Sequence, residues 1–143
     1  MLDKLKFNPI TVLDDFNVEM LDNQRVMLTT TVSESSLNPY GMAHGGYLFT
    51  LADSVAGLTI VAQGSYAVTL QSNIHYMKAA KPGDVLSVIG SCSHDGNRTK
   101  VVEVKIKNQD GKLIASASFT MFVTGKIEKI SEAGQKPSTA SQS

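Results

Sequence analysis

Residues 45–63 read Gly45-Gly46-Tyr47-Leu48-Phe49-Thr50-Leu51-Ala52-Asp53-Ser54-Val55-Ala56-Gly57-Leu58-Thr59-Ile60-Val61-Ala62-Gln63, and this stretch decides the fold. It predicts one long helix, with Tyr47, Leu48, Phe49, Leu51, Ala52, Val55, Ala56, Leu58, Ile60 and Val61 spread over nearly every side. A helix that is apolar all round is a buried one. Gly64 is placed to end it. The apolar run from Leu51 to Ala62 is interrupted by Asp53 and falls short of a membrane span.

The flanks read as strands. Before the helix, Val26, Leu28 and Val32 fall on one face of Arg25–Val32, the mark of a half-buried strand. Phe16–Leu21 is its partner across a turn at Asp22-Asn23, and Ser33–Gly46 is a loop containing Pro39 and three glycines. After the helix come four strand segments. Val68, Leu70, Ile74 and Tyr76 share one face of the first, and Lys81-Pro82-Gly83-Asp84 turns the chain. Leu86, Val88 and Cys92 mark the second. Asp95-Gly96-Asn97 is a hairpin turn into Val102, Val104 and Ile106, and Asp110-Gly111 is a strong hairpin signal leading to the alternating residues Leu113 to Val123. The expected fold is α+β: a curved antiparallel sheet, ending in a meander, wrapped around one long central helix. Residues 1–15 form an N-terminal arm, 16–131 the domain, and 132–143 a disordered tail rich in Ser, Lys, Gln and Ala.

Composition narrows the function. A chain of 143 residues is one domain. Its 13 basic and 13 acidic residues balance, which argues against a nucleic-acid binder. The single cysteine, Cys92, forbids an intrachain disulfide, and the charge alternation from Met1 to Lys6 is unlike a signal peptide. A soluble cytoplasmic protein without membrane contact is therefore expected. His44, His75 and His94 lack metal-ligand spacing, so neither metal nor cofactor is expected. His75 reads as a solvated or interface side chain, His94 as a hairpin residue and Cys92 as inert core.

Between Ser35 and Met77 the one formally charged residue is Asp53. A buried carboxylate with no local cation is costly, which points to a use for it. The structural alternative is a carboxylate satisfied by helix ends or Ser and Thr hydroxyls. At the start of the helix, His44-Gly45-Gly46 presents N–H groups that have no intrahelical partner, at the positive end of the helix dipole. Glycine there lets a ligand approach the backbone, as an oxyanion hole requires. Gly45 and Asp53 are separated by roughly 12 Å at 1.5 Å per residue, too far to act on one atom within one chain. A symmetric dimer with antiparallel central helices would bring Gly45 of one subunit to Asp53 of the other.

The stretch Asn38-Pro39-Tyr40-Gly41-Met42-Ala43-His44-Gly45-Gly46 through Ala52-Asp53 resembles the signature of the PaaI-type acyl-CoA thioesterases of the hotdog superfamily. The similarity continues through Asn73-Ile74-His75-Tyr76-Met77 and Ala115-Ser116-Ala117-Ser118-Phe119, covering about residues 16–125. It implies a hotdog fold and a homo-oligomer, dimer or homotetramer, that hydrolyses an acyl-CoA. It also implies that Asp53 is nucleophile or general base and that the Gly45 amide polarises the thioester carbonyl, with Gly46 beside it. His44 would hold that carbonyl or order the loop, Asn38 would position water or the carboxylate, and Thr69 would sit near the carboxylate. Arg98 and Lys100, after a hairpin turn, are candidates for the CoA phosphates, with plain solvated charges as the alternative. Asn38 as a turn former, and Gly45 and Gly46 as packing glycines, are the structural alternatives. Tyr40, Met42, Tyr47, Phe49 and Tyr66 suit an aromatic or a medium-chain pocket equally. The rival from another class is a non-catalytic acyl-CoA binding or sensing protein of the same fold. A hotdog dehydratase would need a His–Asp or His–Glu pair, which this helix does not present.

Overall fold

The structure, a computed structural model, describes residues 9–128. The expected tail at 132–143 and the first part of the expected arm lie outside them. The remainder of the arm lies on the domain. Thr11 N donates to the Ser35 carbonyl, and Val12 and Leu13 pack against the core.

The elements follow the sequence closely: β1 (Phe16–Asp22), β2 (Arg25–Thr31), α1 (Gly45–Ala62), β3 (Ser65–Tyr76), β4 (Val85–Asp95), β5 (Thr99–Lys107) and β6 (Leu113–Lys126). All pairings are antiparallel, and one six-stranded sheet runs β1-β2-β4-β5-β6-β3. The helix packs against β2 through β6. Leu28, Leu51, Val55, Ile60, Leu86, Val88, Ile106 and Phe119 close the interface between helix and sheet. At Gly90, in β4, a Cβ would stand 2.4 Å from Thr59 Oγ1 and 2.8 Å from Val55 Cγ1, so the bare backbone lets the helix settle onto the sheet.

Three expectations need correction. First, β3 does not open a meander. It occupies the far edge beside β6, while β4 pairs with β2. The turn Lys81–Asp84 is real, with Asp84 N donating to the Lys81 carbonyl and Gly83 at φ +91, but it ends a crossover rather than a hairpin. That crossover is tied down where Lys78 N donates to Ile114 O and Ala43 N to Ala80 O.

Second, Val68, Leu70, Ile74 and Tyr76 do not share one face. A bulge between Thr69 and Gln71 inserts an extra residue in β3, so alternation restarts. Val68 and Leu70 are exposed while Ile74 packs on the core.

Third, the helix is not buried all round. Tyr47, Leu48, Leu51, Ala52, Val55, Ala56, Gly57, Thr59 and Ile60 are buried, whereas Thr50, Asp53, Ser54, Leu58 and Val61 lie on a face that the sheet leaves open. By length and composition alone α1 could cross a membrane, yet its buried residues pack within the domain.

Candidate active site

The loop before α1 is organised by Asn38. Its side-chain Oδ1 accepts from Tyr40 N at 2.9 Å and Met42 N at 3.1 Å, and its backbone N donates to Met42 O at 2.7 Å. This is the turn-forming habit of asparagine. The loop bends at Gly41, whose φ of +83 lies in the region that favours glycine. With Oδ1 committed to the loop, the Asn38 amide nitrogen has no partner among the described residues and can still donate to a ligand.

His44 is the N-cap of α1. Its Nδ1 accepts from Gly46 N at 3.0 Å, and its carbonyl accepts from Tyr47 N and Leu48 N. An accepting Nδ1 requires a neutral ring with its proton on Nε2. The Gly46 N–H is thereby occupied by the cap. The Gly45 N–H donates to no group among the described residues and remains an orphan donor of the helix start.

Gly45 opens onto a pocket of about 380 Å³ lined in part by Asn38, Tyr40, Met42, Leu48, Tyr76 and Met77. Tyr76 closes one side. Its Oη donates to the Gly45 carbonyl at 2.8 Å, and partial burial pushes the phenol above its ordinary value. Of the side chains expected around an acyl group, Tyr40 and Met42 line this pocket, whereas Tyr47 and Phe49 pack on the core. In sequence Tyr76 reads as one of the apolar residues of its strand, with no role of its own. Its signal was chemical: a tyrosine hydroxyl at the end of a core-facing pattern needs a partner.

Asp53 is half-buried on the open face of α1 and is not among the residues lining that pocket. Thr69 Oγ1 donates to its Oδ1 at 3.0 Å. No lysine or arginine among the described residues pairs with it. The structure thus brings Thr69 to the carboxylate, and Asn38, His44 and Gly45 to the helix start. It keeps the two groups apart within one chain. Arg98 is exposed at the β4–β5 hairpin, where its carbonyl accepts from Val123 N, toward the end of the sheet opposite the pocket. Lys100 is not a solvated charge: it is buried and its ammonium pairs with Asp95. Cys92 is half-buried rather than fully buried: it pairs with the buried Val102 on the core-facing side of β4, just before a bulge between Cys92 and His94, its Sγ lying 3.3 Å from the His94 carbonyl.

A family model described as the thioesterase superfamily matches residues 40–115, which takes in the end of the loop from Tyr40 onward, the helix, Thr69 and Tyr76. The chain belongs to the thioesterase superfamily. Within that superfamily it is similar to acyl-coenzyme A thioesterase PaaI of Escherichia coli (strain K12), 33% identical over 95 residues that cover 66% of this chain and 68% of the relative. A hypothetical thioesterase protein of Streptococcus pneumoniae TIGR4, crystallised with coenzyme A, matches with a TM-score of 0.84 at 47% identity, covering 87% of this chain and 100% of that one. The smu.793 protein of Streptococcus mutans UA159, bound to acetyl CoA, matches with a TM-score of 0.78 at 50% identity over 83% of this chain and 96% of that one. Two further structures of the S. pneumoniae protein carry alanine in place of one threonine and of one aspartate. The thioesterase-superfamily chain has the hotdog architecture its sequence resemblance implied: a curved antiparallel sheet around a single long helix.

Proposed function

We propose that this chain hydrolyses acyl-CoA thioesters to the free acid and CoA, in an active site shared between two subunits. The observation that carries the reading is the pairing of one unclaimed donor with one prepared carboxylate. Gly45, whose N–H has no partner among the described residues, lines a pocket, and Asp53, steadied by Thr69, lies on the open side of the helix. Roughly 12 Å of helix separates them.

A second copy supplies the missing half. β3 is an edge strand of twelve residues, Ser65–Tyr76, with Val68 48%, Leu70 59% and Tyr76 51% exposed. A long apolar edge is an invitation to further pairing. Antiparallel pairing of β3 with β3 of a twin sets the two helices antiparallel. It lays the pocket of one subunit against the Asp53 of the other, twice over. Two such dimers would form the homotetramer implied by the family resemblance.

In the proposed reaction the thioester carbonyl enters the pocket mouth and its oxygen accepts from the Gly45 N–H, which stabilises the charge that develops there. Asn38 lines the same pocket, and its amide nitrogen, without a partner among the described residues, is the candidate second donor. Asp53 of the facing subunit either takes a proton from water as the water adds to the carbonyl carbon, or adds to that carbon itself and is released by water. In both routes the C–S bond breaks, the thiolate leaves and is protonated, and one water is consumed. Arg98 of the hairpin is the candidate for the CoA phosphates. The solved relatives with coenzyme A and acetyl CoA bound support the ligand class.

The test is thiol release from a panel of short, long and aromatic acyl-CoAs by the wild type and by Asp53→Asn. The expected result is turnover on at least one ester by the wild type and a loss of 100-fold or more in Asp53→Asn, on the order of a general base's contribution. Tight binding of an acyl-CoA without thiol release would instead make the protein a non-catalytic binder.

A further inference from the structure

The peptide unit between Gly45 and Gly46 is held at both ends. Its carbonyl, on Gly45, accepts from Tyr76 Oη at 2.8 Å, and its N–H, on Gly46, donates to His44 Nδ1 at 3.0 Å. The preceding unit, between His44 and Gly45, is anchored through its own carbonyl by Tyr47 N at 3.0 Å and Leu48 N at 3.1 Å. Its N–H is the Gly45 donor, which has no partner among the described residues and belongs to a residue that lines the pocket. Two adjacent glycines at a helix start would otherwise leave this backbone loose, because glycine is the most permissive residue and helix ends fray.

We propose that Tyr76 is a positioning residue for the Gly45 amide. By holding the Gly45 carbonyl it fixes the torsion that relates the two peptide units, and so fixes where the Gly45 N–H points. The inference rests on the reading of that N–H as the oxyanion donor. Three features support it.

Tyr76 is the last residue of β3, and the bulge at Thr69/Gln71 gives it the parity that faces the helix. Its ring lies so close to Gly45 that a Cβ there would stand 3.3 Å from both Cζ and Oη, a contact that would make the ring give by a few tenths of an ångström. The ring is 51% exposed, so it adds little to the core, and the hydroxyl contact is its principal bond to the rest of the fold. The two clamps differ in kind. His44 is local to the loop, whereas Tyr76 ties the oxyanion donor to the edge strand through which a second subunit would dock.

The experiment compares wild type with Tyr76→Phe, which keeps the ring and removes the hydroxyl. Steady-state acyl-CoA hydrolysis is measured alongside the ¹⁵N and ¹H resonances of the Gly46 amide, which report on hydrogen bonding to the Gly45 carbonyl. The expected result is a kcat about tenfold lower with KM changed by less than about twofold, since misplacement of a catalytic group by a fraction of an ångström costs rate rather than binding. The Gly46 amide resonance should shift while the melting temperature stays close to wild type. Unchanged kcat, or a raised KM with kcat intact, would overturn the proposal and leave Tyr76 a wall of the pocket. If the wild type releases thiol from no acyl-CoA, the functional reading fails instead. In that case an unmoved Gly46 amide in Tyr76→Phe would also overturn the positioning role, and a shifted one would keep the clamp.

Discussion

The Thr69 hydroxyl donates to the Asp53 carboxylate at 3.0 Å, although strict strand alternation would turn Thr69 and Tyr76 to opposite faces of β3. The bulge between Thr69 and Gln71 resolves this. It lets one strand reach the middle of the helix with one side chain and the start of the helix with another. Both halves of the proposed site are therefore registered by the same edge strand.

Thr69 should matter through its hydroxyl. Thr69→Ala removes one hydrogen bond to an ionised group, worth about 1.5–3 kcal/mol, and should lower kcat by roughly tenfold to a hundredfold. Thr69→Ser keeps the donor and should stay within a few-fold of wild type. Steady-state kinetics of both variants on one acyl-CoA separates loss of the hydroxyl from loss of the methyl group.

Asn38 combines a loop role with a free donor, and two substitutions separate them. Asn38→Ala strips the acceptor from Tyr40 N and Met42 N and should cost about 1–2 kcal/mol of stability. Asn38→Asp keeps that acceptor but loses the amide nitrogen. It should melt near the wild-type temperature yet turn over at least tenfold more slowly. An Asn38→Asp enzyme with full activity would reduce Asn38 to a turn former.

Gly90 sets the distance between helix and sheet. Gly90→Ala would bring a methyl group to 2.4 Å from Thr59 Oγ1 and 2.8 Å from Val55 Cγ1, so these buried side chains, or α1 that carries them, must shift. Overpacking of this kind typically costs about 1–3 kcal/mol. Calorimetry should show a clearly lowered melting temperature. Because Asp53 rides on the same helix two residues before Val55, activity should fall as well, even at temperatures where the variant is fully folded.

What could be read from the residues depended on how local the signal was. The helix bounds were legible because Gly45 and Gly64 bracket a largely apolar run, and Asp53 stood out as the sole charge within it. The hairpins at Asp95-Gly96-Asn97 and Asp110-Gly111 were legible for the same reason: their turn residues act on neighbours.

The placement of β3 was not legible, because Lys81-Pro82-Gly83-Asp84 bends the backbone the same way whether it closes a hairpin or ends a crossover. Nor was the inward turn of Thr69 together with Tyr76, since a bulge leaves no residue signature in Thr69-Leu70-Gln71. The open face of α1 was misread because apolar residues such as Leu58 and Val61 look alike in sequence whether a strand or another molecule covers them. Lys100 was misread because its partner, Asp95, lies across a hairpin.

The most direct test of the shared site is complementation between two inactive subunits. Asp53→Asn removes the carboxylate. Gly45→Pro removes the N–H at the first helical position, where proline is well tolerated, and its Cβ needs the half-exposed Tyr76 ring to give by only a few tenths of an ångström. His44 before it already has the extended conformation that a following proline demands, with φ -68 and ψ 141. Each variant alone should be nearly inactive. When the two are co-expressed in equal amounts, half the dimers are mixed, and each mixed dimer holds one site with both lesions and one with neither. The expected activity is about a quarter of wild type. If Gly45 and Asp53 served the same site within one subunit, every site in the mixture would carry a lesion, and a mixture as inactive as its parents would contradict the split site.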